Sequence, residues 1–193
     1  MNLFYEAYPG TVEINGSEYE ILTDFRDYIS FLDMIKDDSV SLGEKQMLIM
    51  EYFTEEKPDD FQCAVESLCD FINMQGIPVC GPGDGCEEEG QETRARKDLY
   101  SFAADYPCIL SGFLHDYGID LQTVEHLHWW KFRMLFDNLS DSTEIKQRIY
   151  YRAKDLGTIK DKEERKRIAE IQRLIRLPEE KISDYEIGDA FDF

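Results

Sequence analysis

The chain has 193 residues and a mass of 22.6 kDa, with 42% hydrophobic and 13% aromatic residues, enough for a packed core in one domain or two small ones. Its 41 acidic side chains outnumber 21 basic ones, and a formal charge of −20 argues against nucleic acid or an anionic membrane surface as the main partner. No apolar run approaches the roughly 20 residues of a membrane span, and the opening MNLFYEAYPG lacks a signal peptide's basic start, so the cytoplasm is the expected compartment.

Residues 11–21, TVEINGSEYEI, carry the clearest local signal. Val12 and Ile14 alternate with polar residues before Asn15-Gly16, and Tyr19 and Ile21 alternate after it. Asn-Gly supplies the two positive-φ positions of a type I′ turn, so the segment reads as a β-hairpin with open strand edges. A lone hairpin is marginal in water and must pack on helices or join another copy. Thr23 or Asp24 then caps a helix on which Phe25, Tyr28, Ile29, Leu32 and Ile35 recur at helical spacing. Ser41 with Glu44 three residues on forms a capping box for a second helix, through Met47, Leu48 and Tyr52. A third helix is expected from about Asp59 to Asn73, with Phe61, Val65, Leu68, Cys69 and Ile72 inward and Gly76 ending it.

Residues 76–96 form a Gly/Pro/Glu-rich loop, whose composition cannot bury enough surface to offset ordering entropy. It separates an N-terminal lobe, 1–75, from a C-terminal helical lobe, 97–178, whether or not each folds alone. The second lobe opens with a helix ending at Tyr117. Pro107 suits a first turn, which sets the regular start near Asp105. Ile109, Leu110, Phe113, Leu114 and Tyr117 make its face, and Gly118 its cap. The next stretch, YGIDLQTVEHLHWWKFRMLFDNL, holds both tryptophans. A helix from near Thr123 puts Leu127, Trp130 and Met134 on one stripe and Trp129, Phe132, Phe136 and Leu139 on its neighbour. Such a helix is covered on more than one side and organises the core. Asp141 with Glu144 opens a shorter helix through Ile145, Ile149 and Leu156, stopped by Gly157. Asp161 with Glu164 opens the last, through Ile168, Ile171, Leu174 and Ile175, stopped by Pro178. The fold class is therefore mainly α, a helical bundle with an N-terminal β-hairpin, with an acidic tail at 179–193.

Charge divides unevenly. Residues 1–130 hold 27 acidic and 7 basic side chains, whereas 131–177 hold 13 basic and 8 acidic. The basic segment can pair with the acidic one, within a chain or between copies. The interleaved acids of 160–173, KDKEERKRIAEIQR, read as a solvated helix face with ion pairs rather than a nucleic-acid contact.

Candidate chemistry is thin. His126 and His128 stand two apart, so on one helix they point to different faces and cannot readily share a metal with Cys108 or the loop cysteines. The odd count of five cysteines, Cys63, Cys69, Cys80, Cys86 and Cys108, suits free thiols in a reducing compartment. Cys108 and His115 share a helix face at about 10 Å, too far for an activated nucleophile, and a buried structural thiol is preferred. The glycines at 81, 83 and 85 follow no strand, open no helix and lie among glutamates, which speaks against a phosphate loop. The residues give no catalytic site, cofactor or metal.

Several segments nevertheless resemble a known family. Asp24-Phe25-Arg26 follows a Val-x-Ile-x-Gly hairpin; then come Tyr117-Gly118-Ile119-Asp120-Leu121, Leu127-His128-Trp129-Trp130-x-Phe132, Tyr151-Arg152 and Glu164-Arg165-Lys166-Arg167. In this order they resemble the gene-product-fifteen family of long-tailed bacteriophages and prophages of Gram-positive bacteria. That resemblance implies a non-enzymatic tail assembly chaperone, encoded between the major tail protein and the tape measure. Such a protein would bind the tape-measure protein, keep it soluble while the major tail protein is recruited, act in the host cytoplasm and be absent from the mature virion. Self-association is compatible with this role. The alternative is a structural tail or head–tail connector subunit retained in the virion. Phe25, Arg26, Trp129, Trp130, Phe132 and Phe136 are the residues expected to bind the partner or build the core.

Overall fold

The computed structural model describes residues 2–77 and 99–178. The expected tail and all but the first two residues of the 76–96 loop, with Cys80 and Cys86, lie outside them. The described residues are mainly α. Strands β1 (Thr11–Ile14) and β2 (Ser17–Glu20) precede helices α1 (Phe25–Lys36), α2 (Leu42–Met50), α3 (Phe61–Ile72), α4 (Phe102–Tyr117), α5 (Trp129–Asp137), α6 (Glu144–Ala153) and α7 (Lys162–Leu174), with a 3-10 turn at Leu156–Thr158. The chain divides into two compact units. One takes the described residues of Met1–Ala95 with His126–Phe132, the other those of Arg96–Glu125 and Arg133–Lys181, so the division falls inside α5.

In the first unit, Asn15 (φ 51°) and Gly16 (φ 81°) form the expected turn, and Val12 pairs with Tyr19 across the hairpin. β2 continues sideways into a bridge between Ile21 and Phe53, where the Leu22 amide donates to Tyr52 and the Thr54 amide to Glu20. Asp24 caps α1 through the Arg26 amide, and Ser41 and Glu44 form the capping box of α2. On α2 the buried residue is Ile49, while Met47 and Leu48 face solvent. α3 departs from the reading in two details. Phe71 is buried where Cys69 was expected, because its ring packs against Tyr28 and Trp130. The helix is closed by Met74 in the left-handed region, with Met74 N–H on Phe71 and Gln75 N–H on Asp70, two residues before Gly76. The core gathers Tyr28, Phe31, Ile49, Leu68, Phe71, Trp129 and Phe132.

In the second unit, α4 begins at Phe102, a turn earlier than the proline suggested, so Pro107 lies inside the helix. Two interactions hold the added turn. Ser101 Oγ accepts the Ala104 amide, and the Asp105 carboxylate accepts the Ser101 amide from within the helix. Asp105, Cys108, Ile109, Gly112 and Phe113 are buried, whereas Leu114 is exposed. Leu139 and Ile145 pack over Gly112, where a Cβ would stand 3.4 Å from Leu139 Cδ1, an ordinary van der Waals distance. Gly118 closes the helix at φ 65°, as read. α6 starts at Glu144 behind Thr143, not under an Asp141 cap, and ends at Ala153; Leu156 belongs to the separate turn that Asp155 caps. Asp161 caps α7, whose buried residue is Ile168 while Leu174 is exposed.

Candidate functional site

The segment before the two tryptophans is not helical. The expected helix start near Thr123 moves to Trp129, and an antiparallel bridge between Asp24 and His128 is the cause. The Phe25 amide donates to Leu127 O (2.9 Å) and the Trp129 amide to Thr23 O (2.7 Å). Asp24 reinforces the pairing. One carboxylate oxygen caps α1 at the Arg26 amide (3.0 Å), and the other accepts the Leu127 amide (2.9 Å) across 103 positions of sequence. A backbone spent on these bonds is extended and cannot also close helical turns.

His128 then serves as the N-cap of α5. Its carbonyl accepts the Phe132 amide, and its Nδ1 accepts the Trp130 amide at 3.1 Å. Its Nε2 lies 2.9 Å from Pro9 O, and a carbonyl only accepts, so the proton sits on Nε2. Tyr8 stacks on the ring at 4.8 Å. Burial pushes the His128 pKa below its ordinary value, the Pro9 bond opposing and the charge of His126 assisting. Neutral imidazole is the form this geometry uses.

Both tryptophans point into the first unit. The Trp129 indole N–H donates to Ile72 O (3.1 Å) and that of Trp130 to Phe71 O (2.8 Å). These carbonyls belong to the last turn of α3, beyond which no helical amide follows, and that of Phe71 also accepts the Met74 amide. Trp129 is 0% exposed and Trp130 4%. Phe25 stacks on Phe132 at 4.7 Å, and the Arg26 guanidinium covers the outer face of Phe25 at 4.7 Å while pairing with Asp24. Five of the six singled-out residues thus meet in one cluster. Phe136 does not; it is buried in the second unit against Tyr100 and Phe102.

Beside this cluster an open groove of about 230 Å³ runs between β1 and α3. Val12, Phe71 and Trp130 line it, and Glu13 and Asp70 stand exposed at its rim. The other sequence candidates fall apart from it. His126 Nε2 hydrogen-bonds Thr23 Oγ1, and His115 Nδ1 pairs with Asp116. Burial raises the Cys108 thiol above its usual range. No group of three His, Cys, Asp or Glu among the described residues is placed to hold a metal ion.

The second unit holds a constellation the sequence reading passed over. Asp105 is 1% exposed and accepts from Arg152 Nη1 (2.6 Å), Arg152 Nη2 (2.9 Å) and Arg148 Nη1 (3.2 Å). Arg152 also donates from Nε to Ile175 O and from Nη1 to Leu99 O. Burial opposes the Asp105 charge, yet these bonds outweigh it and hold the carboxyl below its usual range. One signal was present: Arg152 follows Ile145 and Ile149 at helical spacing, on the face that turns inward.

A family model described as "Bacteriophage Gp15 protein" matches residues 4–177, and the chain belongs to that family. Neither a curated protein nor a solved structure matches it.

Proposed function

Starting from membership of the bacteriophage Gp15 family, we propose that this protein is a non-enzymatic tail assembly chaperone. It binds the tape-measure protein and keeps it soluble while the major tail protein assembles around it, in the host cytoplasm. The single observation that carries the reading is the family match over residues 4–177. The physical character of the chain supports it. A net charge of −20 keeps a complex with an aggregation-prone client in solution. Trp129, Trp130 and Phe132 are turned inward to hold Phe71, Ile72 and Phe25, which gives the most distinctive segment a task in building the core. The exposed apolar side chains Met47 and Leu48 on α2, and the groove beside β1, leave surface for a client.

The test is co-expression with the tape-measure protein of the same phage, followed by pull-down and mass spectrometry of purified virions. A chaperone co-purifies with the tape measure and is absent from the finished particle. A stoichiometric presence in the virion, with no tape-measure complex, replaces this reading with that of a structural tail or connector subunit.

A further inference from the structure

The hairpin has two outer edges, and they are not equivalent. That of β2 is closed at its C-terminal end, where Glu20 O accepts the Thr54 amide and, just past the strand, the Leu22 amide donates to Tyr52 O. The groove described above is lined by residues of β1 and by none of β2. Along β1 the ladder alternates. Ile14 and Ser17 flank the two-residue turn and exchange bonds, as do Val12 and Tyr19, so the backbone groups of Thr11 and Glu13 point away from β2. At either end of this edge a side chain already satisfies a carbonyl: Ser67 Oγ donates to Glu13 O (3.2 Å) and His128 Nε2 to Pro9 O (2.9 Å). Between them, the amide and carbonyl of Thr11 have no hydrogen-bond partner among the described residues, and Thr11 is exposed. This open stretch borders the groove over Phe71 and Trp130.

We propose that the outer edge of β1 at Thr11 is a strand-addition site for an extended cationic peptide segment of a partner protein. An added strand would exchange two backbone hydrogen bonds with Thr11. Side chains of a strand alternate between faces. Those facing inward meet Val12, Phe71 and Trp130, which asks for small aliphatic residues. Those on the other face meet the exposed carboxylates of Glu13 and Asp70, which asks for lysine or arginine. Residues 1–77 carry 17 acidic and 4 basic side chains, so the field around the groove has the same sign as its rim. The charge also disfavours a second copy of β1 in this place, since two acidic N-terminal units would be brought together. The surface is read from backbone geometry and charge alone and does not depend on the chaperone reading.

The experiment uses the full chain and a labelled short peptide of alternating lysine and valine. Saturable binding is expected at low salt by fluorescence polarisation, with protection of the Thr11 amide in hydrogen exchange. Thr11→Pro removes the outward amide but no ladder bond, because Thr11 and Glu20 form a non-hydrogen-bonded pair. It should weaken binding by about tenfold, and so should the same peptide N-methylated at alternate residues, which leaves the protein untouched. Asp70→Asn with Glu13→Gln should weaken it by a similar factor and flatten its salt dependence. Absence of binding, equal binding of the N-methylated peptide, or equal binding of an alternating glutamate–valine peptide overturns the proposal.

Discussion

Trp129 and Trp130 follow one another in the chain, and their indole N–H groups end on two consecutive carbonyls, those of Ile72 and Phe71. Two large apolar bodies therefore fill the core while their polar handles bond the carbonyls at the end of α3, that of Phe71 sharing its oxygen with the Met74 amide. Truncating Trp130 to alanine removes both contributions. The expected loss is about 3–5 kcal/mol, measured by urea unfolding. Against a total of about 5–15 kcal/mol, this leaves a marginal protein. A loss below about 1 kcal/mol would show that the indole packs less tightly than its burial implies. His128 makes a second residue-scale prediction. Its Nδ1 must stay unprotonated to accept the Trp130 amide, and burial lowers its pKa in the folded state. The unfolded ring titrates near about 6.5. Above that value both states are neutral and the full stability is present; as the pH falls below it, the unfolded chain takes up the proton first and stability declines. Chemical denaturation at a series of pH values should show this slope, and His128→Asn should remove most of it. An unchanged slope in the variant would assign the effect to other groups.

At the scale of elements, side-chain hydrogen bonds reach across long stretches of sequence to decide where helices begin. Asp24 is legible as the cap of α1, from its place before Phe25 and the helical spacing after it. Its second bond, to Leu127, has no local signature, and that bond keeps the segment before Trp129 from winding into the expected helix. The hairpin, the caps at Ser41 and Asp161, and the stop at Gly118 were readable because each rests on residues within a few positions. The start of α4 was not, because a proline rule local to Pro107 is overridden by Asp105, which Arg152 fixes from 47 positions away. Of the candidate site, the aromatic cluster was legible as apolar stripes, but its inward indole bonds and the separation of Phe136 needed the fold. Two predictions belong here. Asp24→Ala forfeits a cap and a long-range bond together, an expected cost of about 1–3 kcal/mol, with increased amide exchange at Leu127. Arg152→Met leaves the buried Asp105 carboxylate short of its main partner and should cost about 3–5 kcal/mol. If thermal melts of Arg152→Met match the wild type, the pair is dispensable for the second unit.

For the whole molecule the governing feature is the separation of charge along the chain, acidic through residue 130 and basic from 131 to 177. Copies of such a chain attract one another where unlike segments meet and repel where acidic surfaces do, so the bare protein should remain a monomer or small oligomer. Salt discriminates between the contacts. The Debye length falls from about 10 Å at 0.1 M to about 3 Å at 1 M, which weakens contacts between exposed charges and leaves apolar burial intact. The proposed chaperone role joins both kinds. Copies would line up along a tape-measure chain through their opposed charges, with apolar surface against the client. Size-exclusion chromatography at low and high salt, with and without a tape-measure fragment, reads the two contacts separately. Self-association should shrink at high salt, whereas the fragment should stay bound and raise the apparent mass at low salt beyond a one-to-one complex. Self-association indifferent to salt would remove the charge mechanism, and a fragment that never binds would remove the client, leaving the structural-subunit reading in its place.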